Sequence, residues 1–134
     1  MISTPLARAL RDSGLVWKPR AGDAFRIDLV EADDELFVLS DMTVEAHEFS
    51  TGTVLGFNGT TQWALDSVAI DEALWHPHEH QLREALGPAF VSLTAIGGYT
   101  VEATVDGATA TFTAESAADA YAKALLRLLD SLAV

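Results

Sequence analysis

Cysteine is absent from this chain. Its absence excludes a disulfide, a thiolate nucleophile and a cysteine-ligated zinc, and it is compatible with a reducing cytosol. Basic residues are scarce: 8 Lys and Arg stand against 20 Asp and Glu, a formal net charge of −12. A surface of that sign repels phosphate backbones and anionic lipid, so neither nucleic acid nor a membrane surface is an expected partner. It would instead steer basic partners or cations toward the protein. No apolar run approaches the ~20 residues of a membrane span. Arg8 and Arg11 also interrupt the apolar N-terminus where a signal peptide would need an unbroken core. Asn58-Gly59-Thr60 fits a glycosylation sequon, but with no secretion signal it is read as a turn. A soluble, cytoplasmic protein is the expectation.

Lysine occurs only at Lys18 and Lys123, and neither follows a glycine. The glycine-rich stretch "STGTVLGFNGTT" therefore lacks the residue a phosphate loop needs to reach the outer phosphates. No G-x-S-x-G elbow or S-x-x-K motif supports a nucleophilic serine. The acidic run "EADDE" lacks the D-x-D-x-D-G spacing of a calcium loop and reads as a solvated turn. No catalytic residue, cofactor or metal ligand is assigned on these grounds, and the chain is expected to be non-enzymatic.

What is present is a globular pattern: 134 residues, 49% of them hydrophobic and 21% charged, enough for one domain with a real core. Thr4 as cap, Pro5 in the first turn and Gly14 as terminator frame a first helix. In "AFRIDLV", Phe25, Ile27 and Leu29 alternate with Arg26 and Asp28, the mark of a half-buried strand. "LFVLSDMTVEAHEF" reads as further strand, and Asn58-Gly59 is a hairpin signal. Between Asp66 and His76 the pattern allows a short helical turn capped by Asp66 or Ser67, or an irregular connection. Pro77 is expected to open a helix ending near Leu86, before Gly87 and Pro88. "FVSLTAI", "YTVEATV" and "ATATFTA" then form a meander turning at Gly97-Gly98 and Asp106-Gly107. Pairing across Asp106-Gly107 puts Val101, Ala103, Val105, Ala108, Ala110 and Phe112 on one face, with threonines and Glu102 on the other. Ser116 with Asp119 resembles a capping box for a last helix to about Leu132. Its expected core stripe is Tyr121, Leu125, Leu128, Leu129 and Leu132, widened by Ala122 and Leu126. The fold class is α+β: helix, antiparallel strands, helix, antiparallel β-meander and C-terminal helix, in a two-layer single domain over residues 1–134.

Three histidines in five positions, His76, His78 and His80, raise the question of a metal site. His76 and His80 have the i, i+4 spacing of a helical zinc pair, but a helix beginning at Pro77 excludes His76. The sequence therefore favours a polar first turn, with His78 toward the core beside Leu82, His80 near Glu84 in solvent and Glu79 paired with Arg83. His47, with Glu45 or Glu48, could add ligands only if the fold brought it close. Trp17, Trp63 and Trp75 each sit among apolar residues and are read first as core anchors. Trp63 and Trp75 with His76, His78 and His80 form the expected rim of a pocket, should this chain bind a small molecule or metal. Leu126 marks a candidate partner surface on the last helix.

The stretches "ISTPLARALRDSGLVW", "FVLSDMTVE", "GFNGTTQWALDSV", "ALWHPHEHQLREALG" and "AADAYAKALLRLL" together resemble a family of small actinobacterial proteins often labelled pilus assembly protein CpaE. The resemblance covers nearly the whole chain and is most specific at Asn58-Gly59-Thr60, Trp63-Ala64-Leu65-Asp66, Trp75-x-Pro77 and Gln81-Leu82. It implies a subunit of a pilus or secretion-type assembly. It carries no catalytic residue, because the phosphate loop of MinD-like ATPases is missing here. In architecture alone the element order also resembles type III secretion chaperones, dimers that hold unfolded partner segments on apolar surface. The leading expectation is an accessory, chaperone-like factor that binds another protein, or a second copy of itself as a homodimer.

Overall fold

The computed structural model describes residues 1–27, 36–39, 44–49, 52–57, 67–69 and 72–132; for 44–49, 52–57 and 67–69 this means the backbone. The elements run α1 (Thr4–Asp12), β1 (Ala24–Ile27), β2 (Phe37–Val38), β3 (Val44–Phe49), β4 (Gly52–Phe57), β5 (Ser67–Ala69) and β6 (Ala73–His76). There follow α2 (Glu79–Leu86), β7 (Phe90–Thr94), β8 (Tyr99–Val105), β9 (Ala108–Ala114) and α3 (Ala117–Leu132). This is the α+β order expected from the sequence. By its contacts the chain divides into two compact units, a terminal unit of Met1–Val16 with His76–Val134 and an inserted unit of Trp17–Trp75.

The terminal unit is a three-stranded antiparallel meander, β7-β8-β9, with α3 packed on β8 and β9 and with α1 and α2 packed on α3. The Asp106-Gly107 turn has φ of 53° and 78° at its two central residues, the left-handed pair that a two-residue hairpin of matching twist requires. It sets the register Val101↔Phe112, Ala103↔Ala110 and Val105↔Ala108. Val101, Ala103 and Val105 are buried, as the alternation predicted, but across the turn Ala110 and Phe112 are half-buried and Ala108 is exposed. On the opposite face Thr100 and Thr113 share a hydrogen bond between their hydroxyls at 3.1 Å.

Helix ends show where local signals hold and where they do not. Gly14 ends α1 at φ 104°: its N–H donates to the Arg11 carbonyl, and the Leu15 N–H reaches back to Leu10 at 2.9 Å. Those two bonds satisfy carbonyls the helix leaves open, in the Schellman arrangement. At the other end the cap is Ser3, not Thr4, and its side chain makes no capping bond. The Ser3 N–H instead donates to Asp119 Oδ1 at 2.7 Å. Ser116 Oγ does accept the Asp119 N–H at 3.1 Å, so Ser116 caps α3 while the Asp119 carboxylate serves α1.

Helix α2 begins at Glu79 with His78 as its cap, two residues later than Pro77 suggested. The cause is Gln81, whose Oε1 accepts the His78 N–H at 2.9 Å and so fixes the first turn there. The expected Glu79–Arg83 pairing is also replaced. The Arg83 guanidinium lies over the Phe90 ring, 4.2 Å from its centroid, a cation–π contact that holds α2 against the start of β7.

The stripe on α3 is displaced from its expected position. Ala117, Ala118, Ala120, Tyr121, Ala122, Ala124 and Leu125 are buried, whereas Leu128 and Leu129 are half-buried and Leu132 is 68% exposed. Alanines let the helix approach the sheet and its neighbouring helices closely, so the cover is thickest over the alanine-rich turns.

In the inserted unit, β1 is the central strand of the sheet β2-β1-β6, paired antiparallel to β2 through Ala24↔Val38 and Phe25↔Phe37. Arg26 is buried with Ala24 and Phe25 while Ile27 is half-buried, so the expected alternation fails. Consecutive buried residues point to opposite faces, so both faces of β1 are covered there. Asp28, Leu29 and the "EADDE" turn lie outside the described residues. The second sheet, β3-β4-β5, is antiparallel, with Ala46 opposite Leu55 and Leu55 opposite Val68. The region read as a helical turn or irregular connection contains strands β5 and β6 instead. Asn58-Gly59 lies outside the described residues, between β4 and β5 in the sequence.

Candidate functional site

The terminal unit carries a groove of about 590 Å³ lined by Met1, Pro77, His78, Glu79, His80 and Ala118. Met1 precedes α1, Pro77 to His80 lead into α2, and Ala118 lies in the first turn of α3, so three helix starts meet at it. Because His78 is the extended cap residue and His80 the second residue of the helix, their rings fall side by side. The centroids are 5.7 Å apart and the planes 12° from parallel. The pair offers two imidazole faces and their nitrogens, with the Glu79 carboxylate beside them. His78 is half-buried and His80 exposed.

His76 is not part of this group. It closes β6 and is buried, with Pro77 between it and the groove. Among the described residues no group of three or more histidine or acidic side chains could hold a metal. Helix α2 starts too late to give His76 and His80 a common face, so their i, i+4 spacing is not realised on a helix. The side chains of His47, Glu45 and Glu48 on β3 lie outside the described residues.

Trp75 belongs to an aromatic stack in the inserted unit. Its ring lies 6.3 Å from that of Trp17, with planes 10° apart. Trp17 is 5.5 Å from Phe25, and Phe25 is 5.6 Å from Phe37. The indole nitrogen of Trp75 is buried and finds no hydrogen-bond partner among the described residues. That of Trp17 donates to Asp23 Oδ2 at 2.9 Å, which also accepts the Arg20 N–H at 3.0 Å. Asp23 is itself buried. Phe25, Leu39 and Ala73 form a packed core with Trp17 and Phe37 against it, which agrees with reading Trp17 as an anchor; Trp75 joins it through its stack on Trp17. Trp63 lies outside the described residues. Sequence reading missed Asp23, although an Asp behind Arg20-Ala21-Gly22 at the mouth of an apolar strand is a turn signal. It also missed Met1 and Ala118, which only the packing of three helices brings to the groove.

A second candidate surface is the leucine end of α3. At about 100° per residue, Leu128 and Leu132 continue the line of the buried Tyr121 and Leu125, but their cover ends. Leu126, half-buried, lies beside Leu129. The remaining polarity of the chain is uneven: the inserted unit holds twelve of the 20 acidic residues and three of the 8 basic ones, hence −9 of the −12. No helix among the described residues is long and apolar enough to cross a membrane. Comparison with protein-family models, curated proteins and solved structures finds no match for this chain.

Proposed function

We propose that this protein is a non-enzymatic accessory factor, chaperone-like in its action, that holds a segment of another protein on the leucine end of α3. The observation that carries the reading is Leu132, 68% exposed on the same helical line as the buried Tyr121 and Leu125. An apolar stripe that outruns its own core is the usual mark of a second contact. The partner segment that fits this surface is apolar and is held by the leucines. The test is affinity capture from native cells with the tagged protein and, in parallel, with a Leu129→Glu/Leu132→Glu variant. A stoichiometric companion should accompany the wild type, rebind it when both are purified, and be lost from the variant. A companion kept equally by both would remove α3 as the docking surface.

A second reading has its own observation, the groove with the stacked His78 and His80 rings. Under that reading a small planar cation lies against the imidazoles, beside the Glu79 carboxylate that lines the same groove. Benzamidine is a suitable probe, and it should move the ring signals of His78 and His80 in nuclear magnetic resonance spectra while leaving those of His76 in place. Unmoved signals at millimolar benzamidine would end this reading.

A further inference from the structure

Two of the side chains lining the groove, His78 and His80, belong to the residue type that ordinarily gains and loses its proton between about pH 5 and 8. Their rings are 5.7 Å apart and 12° from parallel. That spacing admits no third ring between them, since van der Waals contact on both sides needs about 7 Å. A bound molecule therefore lies along the pair from outside and meets the charge of both rings.

The other charged groups on the elements that meet here are of kinds that hold their charge below about pH 7. Glu79 lines the groove with the histidines, Glu84 lies one turn beyond His80, and Glu115 and Asp119 flank the start of α3. Carboxylates as a class stay mostly ionised down to about pH 5, and that of Asp119 accepts the Ser3 N–H at 2.7 Å. On the α1 side Met1 lines the groove and brings an amino group, a kind mostly protonated by about pH 7. The Arg83 guanidinium is turned to the Phe90 ring.

We infer that the groove is a proton-gated cation site. It holds a small planar cation while His78 and His80 are neutral and releases it when they take up protons. The inference rests on the reading of the groove as a cation site and adds its regulation. A neutral imidazole offers an acceptor nitrogen to the N–H groups of the cation, beside the Glu79 carboxylate. A protonated imidazole has donors only and carries the same charge as the ligand. Because the rings adjoin, one proton sets like charge against the whole contact. By linkage the bound cation opposes protonation, so the rings titrate at lower pH when it is present.

Nuclear magnetic resonance titration of the wild type with benzamidine, a cation throughout this range, at pH 7 and pH 5 tests this. The His78 and His80 ring signals should move at pH 7, with a dissociation constant about tenfold or more higher at pH 5. Saturating benzamidine should lower the titration midpoints of both rings and leave that of His76. In Glu79→Gln, binding should weaken at both pH values while the fall with pH persists. Equal affinity at both pH values overturns the gate and leaves the cation reading standing. A fall that vanishes in Glu79→Gln puts the proton on the carboxylate and overturns the gate too. No movement at pH 7 removes the cation reading, and the gate with it. If Glu79→Gln binds too weakly to titrate, the wild-type midpoints decide, and midpoints that benzamidine leaves unmoved contradict the gate.

Discussion

Leu125→Ala is expected to destabilise the terminal unit by about 3 kcal/mol, within the ~2–5 kcal/mol found for buried leucines. Leu125 is 1% exposed on a helix that touches α1, α2 and both strands of the central hairpin. Truncation removes the transfer energy of the lost carbons and leaves a cavity that four packed elements cannot close. Leu132→Ala removes the same atoms from the same helical line, yet should cost less than ~0.5 kcal/mol, because its side chain is already largely in water. Urea denaturation followed by helical circular dichroism checks both, since α1, α2 and α3 all belong to this unit. The expected result is a lower midpoint at constant slope for Leu125→Ala and almost none for Leu132→Ala. Equal losses would mean that the leucine end is as well packed as the alanine-rich turns.

Asp23→Ala should be the costliest polar change, by about 3 kcal/mol. It strands the Trp17 indole N–H and the Arg20 N–H, and hydrogen bonds to a charged acceptor contribute roughly 1.5–3 kcal/mol each, with overlap between the two. Asp23→Asn retains an acceptor oxygen in the same place and should lose about half as much. All three tryptophans, Trp17, Trp63 and Trp75, fall within residues 17–75, so tryptophan fluorescence reports this unit directly. The expected observation is an earlier fluorescence transition for Asp23→Ala than for Asp23→Asn, and earlier for both than for the wild type. Identical behaviour of the alanine and asparagine variants would show that the two hydrogen bonds do not hold the stack.

What could be read from the sequence was what depends on a few adjacent residues. Asp106-Gly107 and Gly14 could be placed because left-handed backbone favours particular residue types, and Ser116 because a cap needs only its own third neighbour. From those points the register of β8 and β9 and the buried face of β8 followed by alternation. The features that escaped depend on distant residues. Asp119 looked like half of a capping box, but its carboxylate reaches Ser3, which lies at the other end of the chain. Arg26 obeyed the alternation of a half-buried strand, yet both faces of its strand are covered. Pro77 suited a helix start, but Gln81 placed the cap at His78, and that shift put the His78 and His80 rings side by side. Counting leucines located the stripe on α3 without showing that the alanines, being small, would take the deepest position.

The most direct measurement for the proposed function is the dissociation constant between the purified protein and its captured companion, for the wild type and for Leu129→Glu/Leu132→Glu. Fully burying a leucine is worth about 1.5–3 kcal/mol, and each 1.4 kcal/mol changes affinity tenfold. If the leucine end of α3 is the docking surface, the double substitution weakens binding by roughly 100-fold or more while the helical circular dichroism of the variant matches the wild type. An unchanged dissociation constant in a folded variant would contradict it.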